Sequence, residues 1–163
     1  MGTRTPTLAL AGLALAAVVA LSLAVPRGVG AQTSAQNADA EAIKAALVDM
    51  WDALEKGDLD RYASHLHPDF TAFGETDPYL NEGKAYELRS VADWIRRVPG
   101  VHTEMHQPRV TVRGDTAWIT YYWTDAGTGR DGVRQTSAGK STRIFVKENG
   151  RWSCIHGHYT LAP

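Results

Sequence analysis

The chain is expected to fold as an α+β domain, with helices first and a curved antiparallel sheet after them. Three observations predict this. Apolar residues recur at helical spacing between residues 39 and 98. From Val101 onward the pattern changes to period two. The last strand pair is joined by Asn149-Gly150, the strongest short hairpin signal a sequence offers. Helices gathered before a run of strands imply one helical layer on one sheet face.

The first thirty residues lie outside that pattern. Leu8 to Val25 is an apolar and small-residue run after Arg4, stopped by Pro26 and followed by Val29-Gly30-Ala31. This is the pattern of a signal peptide cleaved near Ala31, which predicts a periplasmic or secreted protein. The competing reading is an uncleaved anchor, since about 18 residues just span a membrane. Losing residues 1–31 removes Arg4 and Arg27 and no acid. The 17 basic side chains fall to 15 against 18 acidic ones, a net charge of −3. That charge gives no support to a nucleic-acid partner. Residues 32–38 read as a polar linker and residues 39–163 as one domain.

The first helix is expected over Asp39 to Lys56, with Ile43, Leu47, Met50, Trp51 and Leu54 on one face and Asp39 as a potential N-cap. Gly57 ends it. Asp58 caps a short second helix, Leu59 to His65, which His67-Pro68 stops. Phe70 to Gly74 fits a short strand, and Glu75 to Gly83 is rich in turn residues. Ser90 opens a third helix, Val91 to Val98, ended by Pro99-Gly100.

Val101 to Val112 predicts a long strand. Pro108 requires an interruption or an edge position there. Arg113-Gly114-Asp115 makes a turn into Thr116 to Thr124, and Val133 to Lys147 leads into the Asn149-Gly150 hairpin. The single Cys154 excludes an intrachain disulfide, and its place in a strand between Trp152 and His156 favours burial. Only one face of the Thr116 strand can look inward. Either Trp118 and Tyr122 or Tyr121 and Trp123 must therefore point away, leaving an aromatic surface that a homo-oligomer would cover.

Three stretches carry a family resemblance. They are Leu54 to Phe73, with Gly57-Asp58, Tyr62, His67-Pro68 and Thr71-Ala72-Phe73; Val110 to Tyr122, around Gly114-Asp115; and Ser141-Thr142-Arg143 through Asn149-Gly150-Arg151-Trp152 to His156-Gly157-His158. They resemble the nuclear transport factor 2-like superfamily, which also includes ketosteroid isomerases and polyketide (SnoaL-like) cyclases. Within it they are most like the association domain of calcium/calmodulin-dependent protein kinase and its bacterial relatives. The resemblance implies a cone-shaped curved sheet packed against about three N-terminal helices, a deep pocket at the wide end, and association as a dimer or larger ring. Tyr159 and Thr160 depart from the basic residue and Ser with which relatives end this strand, and no carboxylate–Tyr–acid trio of the isomerase kind can be placed.

Arg143 in mid-strand is costly to bury unpaired. Either an acid such as Glu104 or Asp52 neutralises it, or it anchors a ligand carboxylate, a role the resemblance favours. If the last strand stays extended, Trp152, Cys154, His156 and His158 share one side. The histidines then line a polar cavity, act as a general base, or bind a metal with His102, Glu104 or His106 as third ligand. The expected pocket joins Arg143, His156 and His158 to an apolar wall of Tyr62, Phe73 and Tyr122 or Trp118. No cofactor or resident metal is expected. Gly-rich phosphate loops, serine elbows and cysteine redox pairs are all missing from the sequence. The leading expectation is an exported binder of a small, partly apolar anion. An isomerase, cyclase or dehydratase with a histidine base, and an assembly module without a ligand, are the alternatives.

Overall fold

A computed structural model describes residues 1–2 and 33–162, and the domain lies within Gln32–Pro163. The leader expected over residues 1–31 falls outside the described residues apart from its first two.

Helix α1 runs Ser34–Glu55. It starts five residues earlier than its apolar period suggested, because Thr33 and Gln36 form a reciprocal capping box. Residues 34–38 are therefore helical rather than linker. Asp39 is not the cap. It lies inside the helix and accepts from Lys147 Nζ at 2.8 Å and Trp152 Nε1 at 2.9 Å. Helix α2, Leu59–Ser64, is capped by the Asp58 side chain as expected. Helix α3, Lys84–Arg97, begins six residues before Ser90. Its N-cap is Gly83, which offers no side-chain signal.

The sheet has six strands: β1 Leu66–Phe73, β2 Asn81–Glu82, β3 His102–Arg113, β4 Thr116–Thr128, β5 Arg134–Glu148 and β6 Arg151–Leu161. Their spatial order is β2-β1-β6-β5-β4-β3, curved and not closed. His67 and Pro68, expected to stop the second helix ahead of a strand beginning at Phe70, stand inside β1, since α2 has already ended at Ser64. Strand β1 pairs parallel to β6, with irregular register between Leu66 and Thr71 that accommodates the proline. Strand β3 is an edge, and its pairing slips between His106 and Arg109, so both expected consequences of Pro108 occur. Asn149 and Gly150 both have positive φ, 50° and 79°, as the tight hairpin turn requires.

The core forms where α1 and α3 cover the concave face. Ile43, Leu47 and Met50 of α1 are fully buried against Val112, Ala117, Ile119 and Phe145 of the sheet. On β4 burial alternates strictly from Thr116 to Thr124. Ala117, Ile119, Tyr121 and Trp123 face in, whereas Trp118 and Tyr122 face out.

One irregularity decides what faces the cone. Phe145 pairs with Cys154, but Ile144 pairs with His156, so Ile155 is an extra residue in β6. Beyond this bulge the alternation is reset. Gly157 pairs with the buried Arg143, while His156 and His158 pair with Ile144 and Thr142 on the other face. The last strand does not stay extended, and the two histidines leave the side of Trp152 and Cys154.

Candidate functional site

The concave face and α3 enclose a cavity of about 270 Å³. Strands β4 and β5 present Tyr121, Trp123 and Arg143, β6 presents Tyr159, and the helices add Trp51, Leu54, Tyr62, Glu87 and Trp94. The segment after β1 closes the rim with Glu75 and Asp77, and Thr103 and Asp125 stand opposite.

Arg143 is 5% exposed. Its Nε donates to the Tyr121 hydroxyl at 3.2 Å, and its guanidinium lies 4.7 Å from the centre of the Tyr159 ring. Nη1 is buried and has no hydrogen-bond partner among the described residues. Neither acid proposed to neutralise it does so. Asp52 is engaged by Lys56 and Arg61, and Glu104 lies 3.7 Å from His102. A buried guanidinium keeps its charge at any ordinary pH, so one hydroxyl acceptor and one aromatic face leave it under-satisfied.

Glu87 is the buried carboxylate of the cavity, and its Oε1 accepts from the Tyr62 hydroxyl at 2.6 Å. Burial, then the Glu87 charge, push the Tyr62 hydroxyl well above the usual tyrosine range, while Arg143 pulls it back. Burial raises the Tyr159 hydroxyl likewise, and that group also has no hydrogen-bond partner among the described residues. Both phenols therefore stay protonated, as donors. Gly157 makes room for this arrangement, because a Cβ there would collide with the Tyr159 hydroxyl. Trp51 packs edge-on against Tyr121 at 5.4 Å. Burial pushes the Cys154 thiol up to about 11, which leaves it unreactive as expected from its strand position.

Of the residues expected in one pocket, Arg143 and Tyr62 meet in this cavity. Phe73, Tyr122, Trp118, His156 and His158 are on the convex face. Phe73 is 42% exposed, and its ring centre lies 5.8 Å from that of His156 and 5.5 Å from that of His158. His156 Nδ1 shares a hydrogen bond with the Thr71 hydroxyl at 2.9 Å. Burial, then the neighbouring His158, lower its pKa. Tyr122, 53% exposed, and His158 border a shallow convex hollow with Lys140, Thr142 and Gln107. The suggested third metal ligands have other partners. His102 Nδ1 is 3.1 Å from Glu55, and His106 Nε2 is 2.9 Å from the Thr124 hydroxyl.

Glu87, Tyr121 and Tyr159 were not anticipated in the site. Glu87 shares a helix face with Val91 and Trp94 at i+4 and i+7, a signal present in the sequence. Tyr121 belongs to one of the two alternating sets on its strand. Tyr159 could not be found, because alternation without the bulge assigns it to the opposite face.

A bent sheet under three helices, with a polar-floored cavity between them, defines the nuclear transport factor 2-like α+β class. Residues 43–162 match the model of the SnoaL-like domain family, and the chain belongs to that family. Similar solved structures include a candidate dehydratase of the NTF2-like family from Streptomyces avermitilis, with TM-score 0.72, 19% identity, and coverage of 78% of this chain and 98% of that one. The CaMKII hub of S. rosetta is similar with TM-score 0.64 and 26% identity, over 75% of this chain and 95% of that one. Among characterised sequences, calcium/calmodulin-dependent protein kinase type II of Caenorhabditis briggsae is 29% identical over 113 residues, which is 69% of this chain. The chain spans only 21% of that kinase's length.

Proposed function

We propose that the protein is an exported, oligomeric binder of a small carboxylate with an apolar body. The observation that carries this reading is Arg143, buried in the cavity floor with Nη1 unpartnered and no ion pair to an acid among the described residues. A ligand carboxylate would satisfy Nη1, and the Tyr159 hydroxyl could donate beside it. Trp51, Trp94 and Trp123 supply the apolar wall. The volume is slightly below the usual range of about 300–1,000 Å³, which suits a short ligand. No histidine is among the described lining residues, so a histidine base in this cavity has no support from the geometry. The open cavity also argues against a pure assembly role.

Oligomerisation rests on Trp118 and Tyr122, exposed on the convex sheet face, and on likeness to association and hub domains. Export rests on the N-terminal sequence pattern alone. The binding test is calorimetric titration of straight-chain carboxylates of five to eight carbons into the wild type and Arg143→Met. Binding by the wild type that the variant loses supports the reading. Equal binding by both, or by neither, removes it.

A further inference from the structure

Charge along the cavity is polarised. Its floor holds Arg143, whose Nη1 has no hydrogen-bond partner among the described residues, and the Glu87 carboxylate, which accepts from the Tyr62 hydroxyl. Its rim holds Glu75 and Asp125, carboxylates with no ion-pair partner among the described residues. Asp125 Oδ1 accepts from the Thr103 hydroxyl at 2.7 Å, a neutral donor. The basic residue at the rim, Arg97, is held by Asp93 at 3.0 Å. Asp77 accepts from Asn81.

Burial and then the Asp125 charge raise Glu75, and burial and the Glu55 charge raise Asp125 against the pull of Thr103. Glu55 is itself engaged by His102 and by the Thr103 amide. The rim thus brings together two carboxylates, Glu75 and Asp125, that no cation pairs with among the described residues. A simple anion would have to pass it to reach Arg143 and would leave it uncompensated. A molecule carrying a cation at its far end would relieve it.

From this polarity we infer that the ligand is a zwitterion, its carboxylate on Arg143 and its ammonium or guanidinium group between Glu75 and Asp125. The apolar part spans Trp51, Trp94 and Trp123. An ω-amino acid or an aromatic analogue with an aminomethyl group has this form. The inference rests on the proposed role of Arg143 and adds the second pole.

The test compares three probe ladders of five to eight carbons by calorimetry: ω-amino acids, plain carboxylates and plain amines. Aminohexanoate, hexanoate and hexylamine are a matched set. In the wild type the best amino acid should bind at least about fivefold more tightly than its matched carboxylate. In the double variant Glu75→Gln/Asp125→Asn that preference should vanish, while the plain carboxylate binds more tightly. In Arg143→Met, both carboxylate-bearing ladders should be lost. Equal or preferred binding of the plain carboxylate by the wild type overturns the zwitterion and leaves the Arg143 reading standing. Absence of binding by both carboxylate-bearing ladders overturns both. Amine binding as strong as that of the amino acid, unchanged by Arg143→Met, also overturns both.

Discussion

The two faces of the β5–β6 ribbon carry similar materials and put them to different uses. On the concave face a cation, Arg143, is buried among Tyr121, Tyr159 and Tyr62, with no ion pair to an acid among the described residues. On the convex face His156 and His158 share Phe73, partly in solvent, and His158 borders a hollow with Tyr122. An imidazole answers burial by losing its charge, and the lowered pKa of His156 reflects that. A guanidinium has no such escape. The concave face therefore retains an electrostatic demand that the convex face does not have. One extra residue, Ile155, sets which groups fall on which side.

The contrast can be broken most sharply by substitution on each face in turn. Arg143→Met should reduce affinity for the best carboxylate probe by about 2–5 kcal/mol, whereas His156→Gln/His158→Gln should leave it within about twofold. Calorimetric titration reads both. Arg143→Met should also fold, since it removes a cation that is costly to bury without an ion-pair partner and keeps an unbranched side chain of similar length.

Next in size is Tyr62→Phe, which strips the buried Glu87 of its hydroxyl donor. A buried acceptor left unsatisfied costs about 1–3 kcal/mol. A corresponding fall in the urea-unfolding free energy is expected, and an unchanged value would mean that water or another group replaces the donor.

On the convex face, Trp118→Ser/Tyr122→Ser should weaken self-association at least about tenfold, measured by sedimentation equilibrium. The cavity lies on the opposite side of the sheet, so ligand affinity per chain should persist.

The smallest effect is a pH slope. The folded protein holds His156 below its ordinary pKa, so the unfolded chain binds more protons as pH falls through about 6.5. The His156 contribution to stability should therefore decline on acidification between about pH 7.5 and 5.5, and His156→Gln should remove that contribution. His102, raised by Glu55, acts in the opposite sense and remains in both proteins, so the comparison is between their two slopes in urea midpoint.

Much of this layout was readable in the chain. The change of period placed the helices and the long strands, Asn149-Gly150 fixed the last hairpin, and Pro108 announced an irregular edge. Mid-strand Arg143 stood out because a buried cation needs a reason. The helix starts were less legible. The capping box at Thr33 lies in a polar stretch without apolar period, and Gly83 caps without a side chain. The short β2 and the parallel joining of β1 to β6 depend on contacts made far along the chain. The face of His156 and His158 was not legible, since a bulge is set by pairing with β5 and leaves alternation along β6 looking regular.

The central claim is that the concave cavity, through Arg143, is where a carboxylate binds. A crystal soaked with bromohexanoate, brominated at the far end of its chain, tests it by anomalous scattering. The account predicts bromine density at the rim near Glu75 and Asp125, with the carboxylate beside Arg143 Nη1. Bromine found only in the convex hollow beside His158 and Lys140, with the cavity unoccupied, would contradict it.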